Sequence, residues 1–230
     1  MSWWKRLRGG GAPPSSPKCL DAVRLDMPGW TEEANGGDFR VWRDSSSDVL
    51  SLSIMDASLD LSEISNEAAL QHWSRELAES RDAGLIEVRA ARVHLGPAGS
   101  LIYKRLEERA FIFTGMLFIP TAEGSLVWTI VAGERGTTGV REAVITAELM
   151  NAGKLTIQEY ERSWAQDPYE PTYRGKDRRV LRFVSDSDCY DERFPDHPLS
   201  KVRRVLAALP NAVRIESPAR ESWNAWADQV

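Results

Sequence analysis

Residues 125–149 read SLVWTIVAGERGTTGVREAVITAEL, and the overall architecture depends on the change from strand to helix within them. In VWTIV, residues 127–131, apolar side chains fill both alternating positions, which is typical of a strand buried on both faces. The glycine-rich peptide GERGTTG follows, and Thr137 or Thr138 stands where it can cap a helix. The segment therefore predicts a central strand that turns into a covering helix.

The helix predicted after this turn carries an apolar stripe. Val140, Val144 and Ala147 recur at helical spacing, and Ile145 and Leu149 lie beside them. A stripe of this kind normally faces the protein core. We therefore expect this helix to pack against the sheet.

The turn peptide also has the glycine content of a phosphate-binding loop. Its spacing is GxxGxxG, whereas a dinucleotide-binding loop has GxGxxG, and the Lys-Ser/Thr end of a Walker loop is missing. A turn is therefore the simpler interpretation. The alternative is an anion site, in which amides at the helix start act together with Arg135 and Arg141.

The composition is that of a globular protein. The chain has 230 residues, of which 42% are hydrophobic and 27% are charged, and its formal net charge is −5. Basic residues are mixed with acidic ones along the chain, so a concentrated basic surface for nucleic acid is not expected. No nucleic-acid partner is therefore predicted.

The cysteines and the hydropathy of the sequence indicate the cellular compartment of the protein. Cys19 and Cys189 are the two cysteines and lack CxxC spacing, which indicates neither a disulfide framework nor a zinc knuckle. The N-terminal peptide MSWWKRLRGGGAPPSSP lacks the apolar run of a signal peptide, and no transmembrane run occurs. We predict a cytoplasmic protein without an integral membrane segment.

Metal and cofactor motifs are not recognised. The acidic loop 186–196 lacks the central glycine and the final glutamate of an EF-hand calcium loop. We therefore predict no metal site and no cofactor.

The body of the chain alternates between strand and helix patterns. A short strand is predicted before the Pro28-Gly29 turn, and others at 39–42 and 49–55. A helix over 60–83 follows, capped by Asp60 or Ser65 and ended by Gly84. Four consecutive strands are predicted at 86–95, 100–108, 109–119 and 125–132. These patterns predict an α+β fold, in which helices flank an antiparallel sheet in an α/β/α sandwich.

The domain organisation follows from composition. A flexible N-terminal tail is predicted at 1–17, the sandwich domain at 18–165, a small α/β extension packed on it at 166–216, and a C-terminal tail at 217–230. Within the sandwich, Thr156 and Glu159 have capping-box spacing. The extension contains the strand pattern VLRFV and a short helix predicted over 199–209 and closed by Pro210, and Pro198 fits a first helical position.

The order of elements and the peptides YKR, FIFTGM and VWTIVAGERGTTG resemble the Mog1/PsbP-like sandwich over residues 19–165. The resemblance implies a binding or accessory role, because known members of this architecture commonly act so. The peptides DPYEP and YDERFPDHPLSKVRR look like uncharacterised bacterial proteins and imply no activity.

The leading hypothesis is a non-enzymatic accessory or adaptor protein that binds another protein through exposed aromatic side chains, which often anchor interfaces. The candidates are Trp30, Trp42, Tyr169, Tyr173 and Tyr190. One alternative is a small-ligand or anion-binding enzyme with a pocket between the sandwich and the extension. Its candidate residues are Arg135, Thr137, Thr138, Arg141, Asp191 and His197. Another alternative is an immunity or chaperone protein for a secreted effector.

Overall fold

The computed structural model describes residues 18–55, 64, 66–93, 96–121 and 124–215. The strands are β1 Val23–Leu25, β2 Trp30–Asn35, β3 Phe39–Asp44, β4 Val49–Met55, β5 Gly84–Val93, β6 Gly96–Glu107, β7 Ala110–Thr121, β8 Gly124–Gly133, β9 Ala165–Gln166, β10 Arg182–Phe183 and β11 Val213–Ile215. The helices are α1 Lys18–Asp21, α2 Glu67–Glu79, α3 Val140–Asn151, α4 Ile157–Ser163 and α5 Pro198–Ala212. The proposed tails, 1–17 and 217–230, lie outside the described residues.

A seven-stranded antiparallel sheet organises the molecule. Its order is β2-β3-β4-β8-β7-β6-β5, so β8 lies in the middle, between β4 and β7. Trp128 and Ile130 pack on one face of the sheet and Val127 on the other. The α+β class, the meander and the two-sided burial of VWTIV are therefore confirmed.

The first helical layer is α2, which covers β5 and β6. Asn66 caps it by accepting hydrogen bonds from the N–H groups of Ala68 and Ala69, while Asp60 and Ser65 lie outside the described residues. The prediction that Gly84 ends this helix is wrong. The helix ends at Glu79, and Gly84 begins β5, where a Cβ would stand 2.0 Å from the Val180 carbonyl oxygen.

The second helical layer is α5, which packs on β7 and β8. Gly115 permits this contact, because a Cβ there would stand 2.5 Å from Cγ1 of Val202. Segment 166–216 thus contributes to the same core as the strands. Pro198 is the first helical residue, as predicted, but Pro210 does not close the helix. The helix continues for two residues beyond Pro210, to Ala212.

Two strands differ from the sequence expectation. The pattern predicted no strand in WTEEAN, yet β2 forms there at the sheet edge and pairs with β3. Charged residues suit an edge that faces water, and Glu33 pairs with Arg43 at 2.8 Å. VLRFV shortens to β10, two residues that pair with β9, between turns of 3-10 helix at Arg178–Val180 and Val184–Asp186.

None of the helices in the described part of the chain has the length and hydropathy needed to cross a bilayer.

Candidate functional site

Helix α3 exposes part of its apolar stripe and buries a charged residue, Arg141, together with Ile145. Val140 is 45% exposed and Val144 is 37% exposed, and Ala143 and Ala147 also face solvent. Arg141 is only 2% exposed. The predicted stripe is therefore divided. Ile145 and Leu149 pack into a cluster that includes Phe111 of β7, whereas the expectation of packing is wrong for Val140, Val144 and Ala147, which face solvent. We call the four residues Val140, Ala143, Val144 and Ala147 the α3 face.

The burial of Arg141 sets the rotation of α3. Its guanidinium donates to the carbonyl oxygens of Ser185 at 2.7 Å and Ser187 at 2.8 Å. It also donates to Oδ1 of Asp191 at 2.9 Å and Oγ of Ser200 at 2.8 Å. A buried guanidinium is tolerated when its donors are satisfied in this way. These bonds hold one side of α3 inward and turn the α3 face outward.

The N-terminus of α3 is capped from outside the helix. Thr137 and Thr138 were predicted as caps, but both are exposed and the N-cap residue is Gly139, with φ 71° and no side-chain cap. The carboxylate of Glu134 accepts from the Gly139 N–H at 2.8 Å and also from the Phe111 N–H. The predicted threonine cap is therefore wrong, because a nearby carboxylate provides the acceptor.

Glu134 is held in its charged form. Burial would raise the pKa of Glu134, but the nearby His197, whose Nε2 lies 3.8 Å from Oε1 of Glu134, and hydrogen bonds from the N–H groups of Phe111 and Gly139 hold that pKa below its usual value. His197 is also the N-cap residue of α5, and its Nδ1 accepts from the Leu199 N–H at 3.2 Å. His197 therefore joins the start of α3 to the start of α5.

A cavity of about 720 Å³ opens between the start of α3 and the start of α5. Arg135, Thr137, Arg141 and His197 line this α3–α5 cavity, so four of the six ligand candidates do converge. Asp191 lies behind Arg141, and Thr138 does not line the cavity.

Most cations of the α3–α5 cavity already have carboxylate partners, whereas Arg204 donates to the carbonyl oxygen of Pro195. Arg135 pairs with Asp48 at 2.7 Å, and Lys201 contacts both Asp44 and Asp48. The guanidinium of Arg141 donates its hydrogen bonds to acceptors inside the protein. The cavity is therefore mixed in charge, and a ligand there would have to compete for Arg135.

A buried ion pair lies beneath this region. Lys104 is 0% exposed, and its Nζ donates to Asp186 at 2.6 Å and lies 3.1 Å from the ring centroid of Phe183. Burial lowers the pKa of Lys104, while Asp186 opposes that shift. The pair joins β6 to the 3-10 turn after β10. Lys104 was not identified as a candidate from the sequence. A lysine within an otherwise apolar strand pattern was the signal that could have indicated it.

The five aromatic candidates do not form a patch. Trp42 is 4% exposed and stacks on Trp128, with ring centroids 5.3 Å apart. The prediction that Trp42 anchors a partner is wrong, because the sheet buries it. Trp30 and Tyr190 are partly buried against separate clusters.

Tyr169 and Tyr173 have internal partners. The Tyr169 hydroxyl donates to the Val88 carbonyl at 3.0 Å and accepts from the Val88 N–H at 2.7 Å, which satisfies backbone groups on the edge strand β5. The Tyr173 hydroxyl donates to Glu79. Both tyrosines therefore attach the 166–216 segment to the body.

The comparisons with known proteins concern the fold. The structure of the Ran-binding protein Mog1p from Saccharomyces cerevisiae matches 86% of this chain and 93% of its own, at 9% identity and a TM-score of 0.44. Cyanobacterial PsbP from Synechocystis matches 63% and 95%, at 15% identity and a TM-score of 0.35. The predicted Mog1/PsbP-like resemblance is confirmed as one of fold. At these TM-scores it carries no argument about function.

No protein-family model matches the chain, and no curated protein sequence matches it significantly.

Proposed function

We propose that this is a non-enzymatic cytoplasmic accessory protein that binds another protein through the α3 face. The observation that carries the proposal is the exposed apolar face of α3, a helix that buries Arg141 and Ile145 while it exposes two valines. Exposed apolar side chains lose the free energy that burial would provide, about 25 cal/mol per Å². A contiguous exposed apolar surface marks an interaction site when a partner covers it.

The α3 face has the spacing of a helix that binds in a groove. Val140, Ala143, Val144 and Ala147 occupy positions i, i+3, i+4 and i+7, the pattern of anchors that a partner groove or helix accepts. The four bonds of Arg141 hold the helix in one orientation. Such preorganisation reduces the entropy cost of binding. The partner should therefore present an apolar groove or helix face.

Val144→Glu tests this assignment. A carboxylate at the centre of an apolar interface would be desolvated without a partner, so we expect the recovered protein partner to fall roughly tenfold to hundredfold in a pulldown. The matched control is Ile157→Glu on α4, since Ile157 is 67% exposed but lies outside the α3 face. Equal loss in both variants, or none in either, would contradict the proposal. So would a wild-type dimer that Val144→Glu dissociates, because the occupant would then be a second copy.

The second candidate function is anion binding in the α3–α5 cavity, and convergence of four predicted residues there supports it. With inorganic phosphate as the probe, we expect the Tm to rise with concentration, because a ligand of the native state stabilises it. Arg135→Gln should remove the rise. Arg179→Gln is the control, since Arg179 also has an exposed ion pair but lies elsewhere. A rise that persists in Arg135→Gln would overturn this candidate.

A further inference from the structure

A second cavity, of about 310 Å³, lies at the C-terminal end of α2. The end of α2, the start of β5, the β6–β7 turn and the loop 173–181 surround it. Its volume is at the lower end of those that bind small molecules. We call it the α2 cavity.

The inner side of the α2 cavity is apolar. Ala78, Leu85 and Leu181 line it and are almost fully buried, and the partly exposed Leu106 adds to them. Gly84 lets the backbone of Val180 approach β5, so this wall is held by close packing. The inner side therefore suits a hydrocarbon group.

The rim of the α2 cavity has more carboxylates than cations. Three of the carboxylates pair with the three cations: Asp167 with Arg75 at 2.9 Å, Asp177 with Arg179 at 2.8 Å, and Asp82 with Lys176 at 3.6 Å. Glu79 and Glu108 also line the cavity, and neither has a cationic partner among the residues that the structure describes. Glu79 is partly buried and Glu108 is exposed to solvent, so the rim has an excess of negative charge that a cationic ligand could offset.

An aromatic wall stands beside these carboxylates. Tyr173 lines the cavity and donates its hydroxyl proton to Glu79, and the guanidinium of Arg75 lies 5.3 Å from its ring centroid. Burial raises the pKa of Tyr173, and the hydrogen bond to Glu79 adds to that shift. The phenol is therefore neutral at physiological pH, and the negative charge stays on the carboxylate.

The backbone places two of the carboxylates in an uncommon conformation. Asp82 and Glu108 both have φ 53°, and they are two of the three non-glycine residues with positive φ in the described ranges. Asp82 follows the end of α2 and Glu108 lies in the β6–β7 hairpin turn, and both are positions at which left-handed backbone is common. Both residues end up on the rim of the same cavity.

From this combination of enclosed volume, apolar wall and unpaired carboxylates, we propose that the α2 cavity binds a small organic cation, an amine with an apolar body. The hydrocarbon part lies against the leucines, and the ammonium group approaches Glu79 and Glu108 and offsets one of their two negative charges. This site is separate from the α3 face, so it does not depend on the proposed protein-binding function.

Three probes that share one shape test the charge requirement on the wild-type protein. Phenethylamine, 2-phenylethanol and 3-phenylpropionate carry a positive, a neutral and a negative group, and their binding can be followed by isothermal titration calorimetry. We expect phenethylamine to bind at least about tenfold more tightly than 2-phenylethanol, since hydrogen bonds to charged groups are the stronger ones. We expect 3-phenylpropionate not to bind. Equal affinity for the amine and the alcohol, or no amine binding at millimolar concentration, would overturn the proposal.

Two conservative variants locate the ammonium group. Glu79→Gln and Glu108→Gln should each weaken phenethylamine binding roughly tenfold, and together more, because each keeps the shape and removes one charge. Glu76→Gln is the matched control, on the same helix and exposed but outside the cavity lining. Equal weakening by Glu76→Gln, or unchanged affinity in the double variant, would place the amine elsewhere and refute the site.

Discussion

Lys104→Met lowers the free energy of unfolding by about 3–5 kcal/mol, because it leaves a buried carboxylate without its cation. Lys104 is 0% exposed, and Asp186, its partner at 2.6 Å, is also buried. Asp186 then keeps only the hydrogen bond from the Phe183 N–H, at 2.8 Å. The change is measured as a lower urea midpoint with an unchanged m-value.

The control removes both charges of the pair. In Lys104→Met combined with Asp186→Asn, the amide oxygen still accepts from the Phe183 N–H, and no charge is left buried and unpaired. A buried pair replaced by neutral groups is often close to neutral in stability. We therefore expect the double variant to recover most of the loss. A double variant as unstable as Lys104→Met would show that packing of the lysine, and not its charge, is what matters.

Trp42→Ala should cost about 3–5 kcal/mol, since it removes a large buried ring and leaves a cavity. Trp42 stacks on Trp128, which is fully buried on the central strand β8. Trp30→Ala is the comparison, because Trp30 is only partly buried, and it should cost less. Thermal or urea unfolding measures both.

A second variant of Trp42 tests partner binding independently of stability. Trp42→Phe retains an aromatic ring in the core and should stay folded. We expect it to recover the protein partner as well as the wild type does in the pulldown described for Val144→Glu. If a folded Trp42→Phe protein no longer recovered the partner, Trp42 would have to be counted among the residues that bind it.

Local patterns predicted the sheet well. The alternation in residues 49–55 predicted β4 with its observed bounds, and VWTIV predicted the central position of β8. The capping box of Thr156 and Glu159 is also confirmed at the start of α4. These features depend on neighbouring residues, whose period and hydrogen bonding are visible in a short stretch of chain.

The edge strand and the tyrosine contacts were not visible in this way. WTEEAN has little strand character of its own, and β2 forms because β3 offers a partner and water solvates its charges. Tyr169 meets Val88 across 81 positions of the chain. A contact of that separation leaves no local pattern.

The apolar stripe of α3 separates what the sequence determined from what the tertiary structure decided. By itself the sequence determined that Val140, Val144 and Ala147 share one side of a helix, because helical spacing requires it. Which side faces the core was decided by Arg141, whose acceptors lie 44 to 59 positions further along the chain. A buried guanidinium must have its donors satisfied, and only the folded chain brings those acceptors to it.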